Sequence, residues 1–315
     1  MRETTIENLA RGVALARRVI AACTVAIVIV VAAGCDRSGE RANSGGDQRP
    51  RVVKSDAIPD EPQRLVSLAP NVTEILFALG AGDRVTAVTK FCDYPEAATS
   101  RPTIGSFSNP DFESIVAQKP DLVVGVVSGG KKRVFERLKG VGLPYLFVRM
   151  STIEETFEGI ETIAEAIGER ERGDSLVSSI RRQIGETAAR WENRRGPGVL
   201  LVYGHEPIVA AGPGTFGHQM LERLGAENVL GDAPTKYPRI DIEKVIELDP
   251  ERIIDTTMGS AAGDDDFWES RSVLDAVEAQ RARHLTDPSI LRPGPRLPEG
   301  LRILGNAVYE PDAGE

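Results

Sequence analysis

The sequence predicts an α/β protein of two similar lobes, each built on a central, mostly parallel sheet, with a single long backbone helix bridging them and a ligand cleft between. Three observations predict this. The segment Asp111-Phe112-Glu113-Ser114-Ile115-Val116, followed by Pro120-Asp121-Leu122-Val123-Val124, returns 130 positions later as Asp241-Ile242-Glu243-Lys244-Val245-Ile246, followed by Pro250-Glu251-Arg252-Ile253-Ile254. Weaker echoes keep the same order, Tyr94-Pro95 as Tyr237-Pro238 and Leu79-Gly80-Ala81 as Leu224-Gly225-Ala226. A repeat this long marks duplicated lobes rather than a solenoid, and two lobes leave an interface cleft of the kind small ligands occupy. Short apolar strands alternate with helical patterns in both halves. Residues 153–193, in contrast, carry helical periodicity and no strand pattern.

The N-terminus is of another kind. Arg2, Arg11, Arg17 and Arg18 precede an apolar run over residues 19–33 that ends in Ala32-Ala33-Gly34-Cys35. A basic flank, a short apolar core and small residues before a cut site describe a secretory signal, too short for a comfortable membrane span. Its ending resembles a bacterial lipobox, which assigns residues 1–34 to a lipoprotein signal peptide and makes Cys35 the lipidated first residue. Asp36 directly after it favours retention in the inner membrane. Cys23 leaves with the signal, so only Cys92 remains and no internal disulfide forms. Residues 35–62, rich in Gly, Ser, Asp, Arg and Pro, read as a flexible tether.

The first lobe is expected over residues 63–152. Leu65-Val66-Ser67-Leu68 reads as a buried strand, residues 71–79 as a helix stopped by Gly80, and residues 85–88 as the next strand. Asn109 is the expected N-cap of the helix carrying Glu113, with Pro110 at its first position. The unbroken apolar run at 122–127 fits a parallel strand covered on both faces. Residues 153–195 form the bridging helices, and the second lobe is expected over residues 196–310.

Charge and motifs narrow the function. Loss of the signal, with four Arg and two Glu, moves the formal net charge from −9 to −11. That sign disfavours nucleic acid, which needs a basic footprint. Gly125-Val126-Val127-Ser128-Gly129-Gly130-Lys131-Lys132 nearly spells a phosphate loop, but Lys132 stands where Ser or Thr would hold magnesium. No Gly-x-Ser-x-Gly elbow is present, so a serine hydrolase is disfavoured too. The chain is read as a non-enzyme. His205, His218 and His284 show no paired ligand spacing, so no protein-bound metal is assigned.

Residues 64–80 (RLVSLAPNVTEILFALG), Cys92-Asp93-Tyr94-Pro95, Asn109-Pro110-Asp111-Phe112-Glu113 and Lys119-Pro120-Asp121-Leu122 resemble the substrate receptors of cobalamin and iron-siderophore ABC importers. Gly204-His205-Glu206-Pro207, Ala211-Gly212-Pro213-Gly214 and Leu291-Arg292-Pro293-Gly294-Pro295-Arg296 extend the likeness into the second half. The resemblance covers about residues 63–310 and is nearest to the vitamin B12 branch. It implies a class III periplasmic receptor delivering cobalamin or a related corrinoid, with haem or a ferric siderophore as the alternative ligand. No cofactor is expected beyond the transported corrinoid.

In such receptors a glutamate on each lobe docks on the dimeric permease; here the resemblance implies Glu113 and Glu243, though an acid in a helix's first turn also suits the helix dipole by itself. The resemblance places Tyr94, Phe107 and Tyr237 as cleft aromatics, although Phe107 and Tyr237 stand where the best-known B12 receptors carry tryptophan. Pro70, Asn71, Tyr203 and His205 are expected at the cleft from their positions at strand ends, and Arg292 as a contact for acidic or amide-bearing ligand edges. A haem ligand would come from Tyr94, Tyr203 or His205. Phe267 and Trp268 are left unassigned. One cleft and one docking face need no second copy, so a monomer is expected.

Overall fold

The computed structural model describes residues 50–106, 109–127, 132–257 and 266–309. The signal segment, Cys35 and Phe107 lie outside the described residues. In the first half the elements are β1 (Val52–Lys54), β2 (Leu65–Ser67), α1 (Pro70–Ala78), β3 (Val85–Ala87), α2 (Glu96–Thr99), α3 (Phe112–Ala117), β4 (Leu122–Val126), α4 (Lys132–Gly140) and β5 (Tyr145–Val148). The sheet order is β1-β5-β4-β2-β3, parallel throughout except for β1. β4 lies at the centre, and Leu122, Val123 and Val124 are fully buried. Covering on both faces is why its sequence is apolar without alternation.

Two expectations are corrected here. The end of the presumed tether is not loose: Val52 pairs with Val148 and Lys54 with Leu146, and Arg51 bonds Glu158 at 2.5 Å. Three residues are too few to show a strand period, so this edge strand was invisible in composition. The helix of Glu113 also begins later than Asn109-Pro110 suggests. Pro110 is buried in a bridge with Gly105, and Asp111 is the N-cap, accepting from the Glu113 and Ser114 amides.

The chain then crosses through α5 (Ile153–Ala166) and α6 (Arg170–Ala188). Thr152 caps α5 through its hydroxyl, which accepts from Glu155 N at 3.1 Å, and Gly168 at φ +78 turns the chain between the helices. α6 buries Val177, Ile180 and Ile184, a single stripe at helical spacing. It packs on α5 and on the last described helix.

The second half contains β6 (Gly198–His205), β7 (Ile208–Ala210), α7 (Phe216–Arg223), β8 (Glu227–Asn228), β9 (Arg239–Ile240), α8 (Ile242–Leu248), β10 (Arg252–Asp255), α9 (Asp266–Glu269), α10 (Asp275–Glu278), β11 (Ala282–His284) and α11 (Leu297–Tyr309). The sheet order is β11-β10-β6-β7-β9, with β8 alongside β6. β11, β10, β6 and β8 run parallel, while β7 is antiparallel to both neighbours.

The repeat is exact in its local physics. Asp241 caps α8 as Asp111 caps α3, and the residues ending the two turns, Lys119 and Asp249, both adopt left-handed backbone at φ 48 and φ 42. Buried Pro120 and Pro250 follow. One hydrophobic cluster runs without a break from Leu65 and Ile75 through Ile160 and Ile180 to Leu201 and Leu301. Trp191 stacks on Tyr309 at 5.9 Å, fastening the end of the crossing to α11.

Candidate functional site

Parallel strands deliver their C-terminal ends to one edge of each sheet, and the loops leaving those edges build the site. Behind β5 come Met150 and Ser151; from the second half come Tyr203, Val209, Phe216 and Tyr237; Leu291 and Pro293 close the group. Together they line a cavity of about 310 Å³ fed by both halves. A larger hollow of about 780 Å³ lies between residues 227–240 and α8. It draws on the second half alone, and Tyr237 borders both.

The ring of Tyr203 sits 6.1 Å from that of Tyr237 at 57°. Burial pushes the Tyr203 phenol well above its ordinary range, and the hydroxyl packs against Gly217. A side chain at Gly217 would strike that hydroxyl, which is why the helix can lie so close. Tyr237 is 52% exposed and Tyr94 47% exposed, so both offer ring surface to solvent. Tyr94 rests on the Arg296 guanidinium, 4.2 Å from the ring centroid.

Asn71 is buried at the start of α1, where Pro70 takes the first helical position. Its amide donates to Pro293 O at 3.1 Å and lies 3.3 Å from Met150 Sδ. Asn71 therefore fixes two lining residues in place rather than facing the cavity alone.

Arg292, expected as a free ligand contact, is already engaged. It donates to Glu74 Oε1 at 3.1 Å and to both oxygens of Asp93. Arg296 donates to Glu74 at 3.0 and 2.8 Å. The Glu74 side chain is 1% exposed, so a buried carboxylate is clamped between two arginines from the far end of the chain. Arg292 also holds the Asp93 carboxyl below the usual carboxylate range by hydrogen bonding. Glu74 was the missed residue, and its signal was an acid set among Val72, Ile75, Leu76 and Leu79 on a buried helix.

His205 is likewise engaged within the fold. Its Nε2 lies 2.5 Å from Asp255 Oδ2, and its ring stacks on Phe267 at 4.0 Å. Trp268 Nε1 donates to the same oxygen at 2.8 Å, and Thr257 N to the other at 2.9 Å. Strand parity puts His205 beside Tyr203, but the pairing with β7 shifts register between Val202 and Gly204. That bulge turns His205 to the face of Val202 and Ile208, away from Tyr203.

Glu113 and Glu243 are both exposed, one in the first turn of α3 and one in the first turn of α8. Among the described residues no helix is long and apolar enough to cross a membrane, and no group of three acidic, His or Cys side chains is placed to hold a metal ion.

Comparison with known proteins agrees with this architecture. The sequence pattern of the periplasmic binding proteins matches residues 65–288. A vitamin B12-binding protein of Vibrio parahaemolyticus is 28% identical over 249 residues, 78% of this chain and 90% of that protein. An uncharacterized ABC transporter substrate-binding lipoprotein of Bacillus subtilis is 30% identical over 299 residues, 90% of this chain and 94% of its own length. The solved periplasmic haem-binding protein of Roseiflexus sp. RS-1, in apo form, superposes with a TM-score of 0.70 at 28% identity, covering 79% of this chain and 98% of that one.

Proposed function

Because this chain belongs to the periplasmic binding protein family, we propose that it is a lipid-anchored extracytoplasmic receptor that carries cobalamin or a related corrinoid to an ABC importer. The observation that carries this reading is the neutrality of the cleft. Among the described residues its lining is Met150, Ser151, Tyr203, Val209, Phe216, Tyr237, Leu291 and Pro293, with no charged member. The two nearby arginines, Arg292 and Arg296, are already paired with Glu74. A ferric siderophore or the propionates of haem would draw on free cations. A corrinoid asks instead for flat apolar faces, which exposed Tyr94 and Tyr237 supply with little conformational loss.

Metal ligation points the same way. Tyr203 turns its hydroxyl against Gly217 inside the fold, and His205 is bound to Asp255 beneath Phe267. Neither is poised to ligate haem iron from the axial side, whereas cobalamin arrives with axial ligands of its own on cobalt. The Roseiflexus likeness supports the alternative of a haem receptor, in which Tyr94 or Tyr237 would have to serve as ligand. Anchoring through Cys35 rests on the lipobox-like sequence and on the lipoprotein name of the Bacillus relative. Docking of Glu113 and Glu243 on a permease dimer is supported by their equivalent, exposed placement.

Calorimetric titration of the chain from Asp36 onward tests the ligand. Cyanocobalamin is expected to bind one-to-one, and Tyr94→Ala or Tyr237→Ala each to weaken it at least about tenfold, roughly 1.4 kcal/mol. Binding of haemin in place of cyanocobalamin would replace the corrinoid reading with the haem one.

A further inference from the structure

Most large apolar side chains are buried here, and those left exposed do not fall at random. Val116 is 45% exposed and Ile246 44% exposed. They occupy the same place in the two repeats, three residues after Glu113 and Glu243. In a helix, positions three apart share a face, so each glutamate has a branched apolar neighbour one turn along. Burial follows the same rhythm in both helices: Ile115 and Val245 point into the core while Val116 and Ile246 point out. Neither exposed side chain is needed to fill a core, yet both copies keep one.

Topology places the two faces alike. The chain reaches α3 from beyond the end of β3, where Asp111 N bonds Ile104 O, and leaves it for the start of β4. It reaches α8 from β9, which runs in the direction of β6, and leaves it for the start of β10. Each helix therefore begins at the edge where the parallel strands end, the edge that supplies Met150 and Tyr203 to the cleft.

We infer that Glu113 with Val116, and Glu243 with Ile246, form two equivalent two-point contacts for the importer's permease dimer. The inference rests on the docking role proposed above and extends it. Each permease subunit presents a basic side chain to the glutamate and an apolar surface to the Val or Ile. Charge complementarity steers the encounter, while the apolar side chain, dehydrated on contact, slows release. The twofold repetition selects a partner with two copies of one surface.

Photocrosslinking in intact cells tests this on the full chain. A benzoylphenylalanine residue is placed at position 116, 117, 246 or 247, which keeps Glu113 and Glu243 in place, with positions 141 and 273, two other exposed valines, as controls. Positions 116 and 246 are expected to label one and the same polytopic membrane polypeptide, with positions 141 and 273 silent. Combining Val116→Ser with Ile246→Ser is expected to lower the adduct yield from position 117 at least tenfold, with ligand binding by calorimetry unchanged. Adducts at 117 and 247 that survive the double serine change overturn the apolar contact and leave glutamate docking intact. Silence at all four positions overturns both. Labelling of different polypeptides at 116 and 246 overturns the twofold partner.

Discussion

Glu74→Ala is expected to lower the unfolding free energy by about 3–5 kcal/mol, because it removes the buried carboxylate that both arginines bridge. Arg292 and Arg296 would remain, their donors converging on a void and their charges facing each other. Asp93 cannot take over: it meets Arg292 from the exposed side, and its own side chain is 57% exposed. With a urea slope of roughly 2–3 kcal/mol per molar for a protein of this size, the midpoint should fall by about 1–2 M. Glu74→Gln keeps an acceptor and the volume, so it should lose less. Changing both arginines to methionine beside Glu74→Leu should recover much of the loss, since an apolar replacement removes the desolvation cost with the charges. A shift below about 0.5 kcal/mol for Glu74→Ala, the range of ordinary surface changes, would show that the cluster does not hold the halves together.

Asp255→Ala should cost about 3 kcal/mol or more, since it orphans three donors at once: the His205 ring, the Trp268 indole and the Thr257 amide. Asparagine should not fully restore the site. Its amide offers one acceptor oxygen, so its NH₂ must face either Thr257 N–H or the pair His205 and Trp268. The charge also gives the acid limb of stability its shape. Burial raises the Asp255 carboxyl, but the bonds from Thr257, His205 and Trp268 outweigh it and hold the group below its ordinary value of 3.8. A depressed native value means the stabilisation is complete above the unfolded value and is lost as pH falls through the native one. Unfolding free energy measured from pH 6 down to pH 2 should therefore fall more steeply below about pH 4 in the parent than in Asp255→Asn. Equal slopes would sink the assignment. Trp268, one of two tryptophans, reports loosening of the cluster through its emission.

What was legible in the sequence was local or repeated. The placing of Glu113 in a first helical turn, the central run of β4 and the stripe of α6 are written in neighbouring residues, and duplication repeated the first of these at Glu243, although the cap itself was misplaced at Asn109. What was not legible depended on distance or on a single backbone shift. Glu74 and Arg292 lie 218 positions apart, and nothing in the helix pattern names the partner of a buried acid. His205 was expected at the cleft from its place at a strand end, and one bulge turned its ring to the other face of the sheet. Phe216 lines the cleft, yet its position just after the Thr215 cap reads as ordinary helix core. Arg292 looked like a free cation because sequence shows charge and not its neutralisation.

The unbroken core from Leu65 to Leu301 has a consequence for traffic at the membrane. On the docking proposed above, a frame joined by one continuous core would hold Glu113 and Glu243 at nearly one spacing with or without ligand. Vacant carriers would then reach the importer as readily as laden ones and occupy it without delivering cargo. Uptake should peak and then decline as the number of receptors per importer rises past the supply of ligand, a form of self-inhibition set by stoichiometry rather than by affinity.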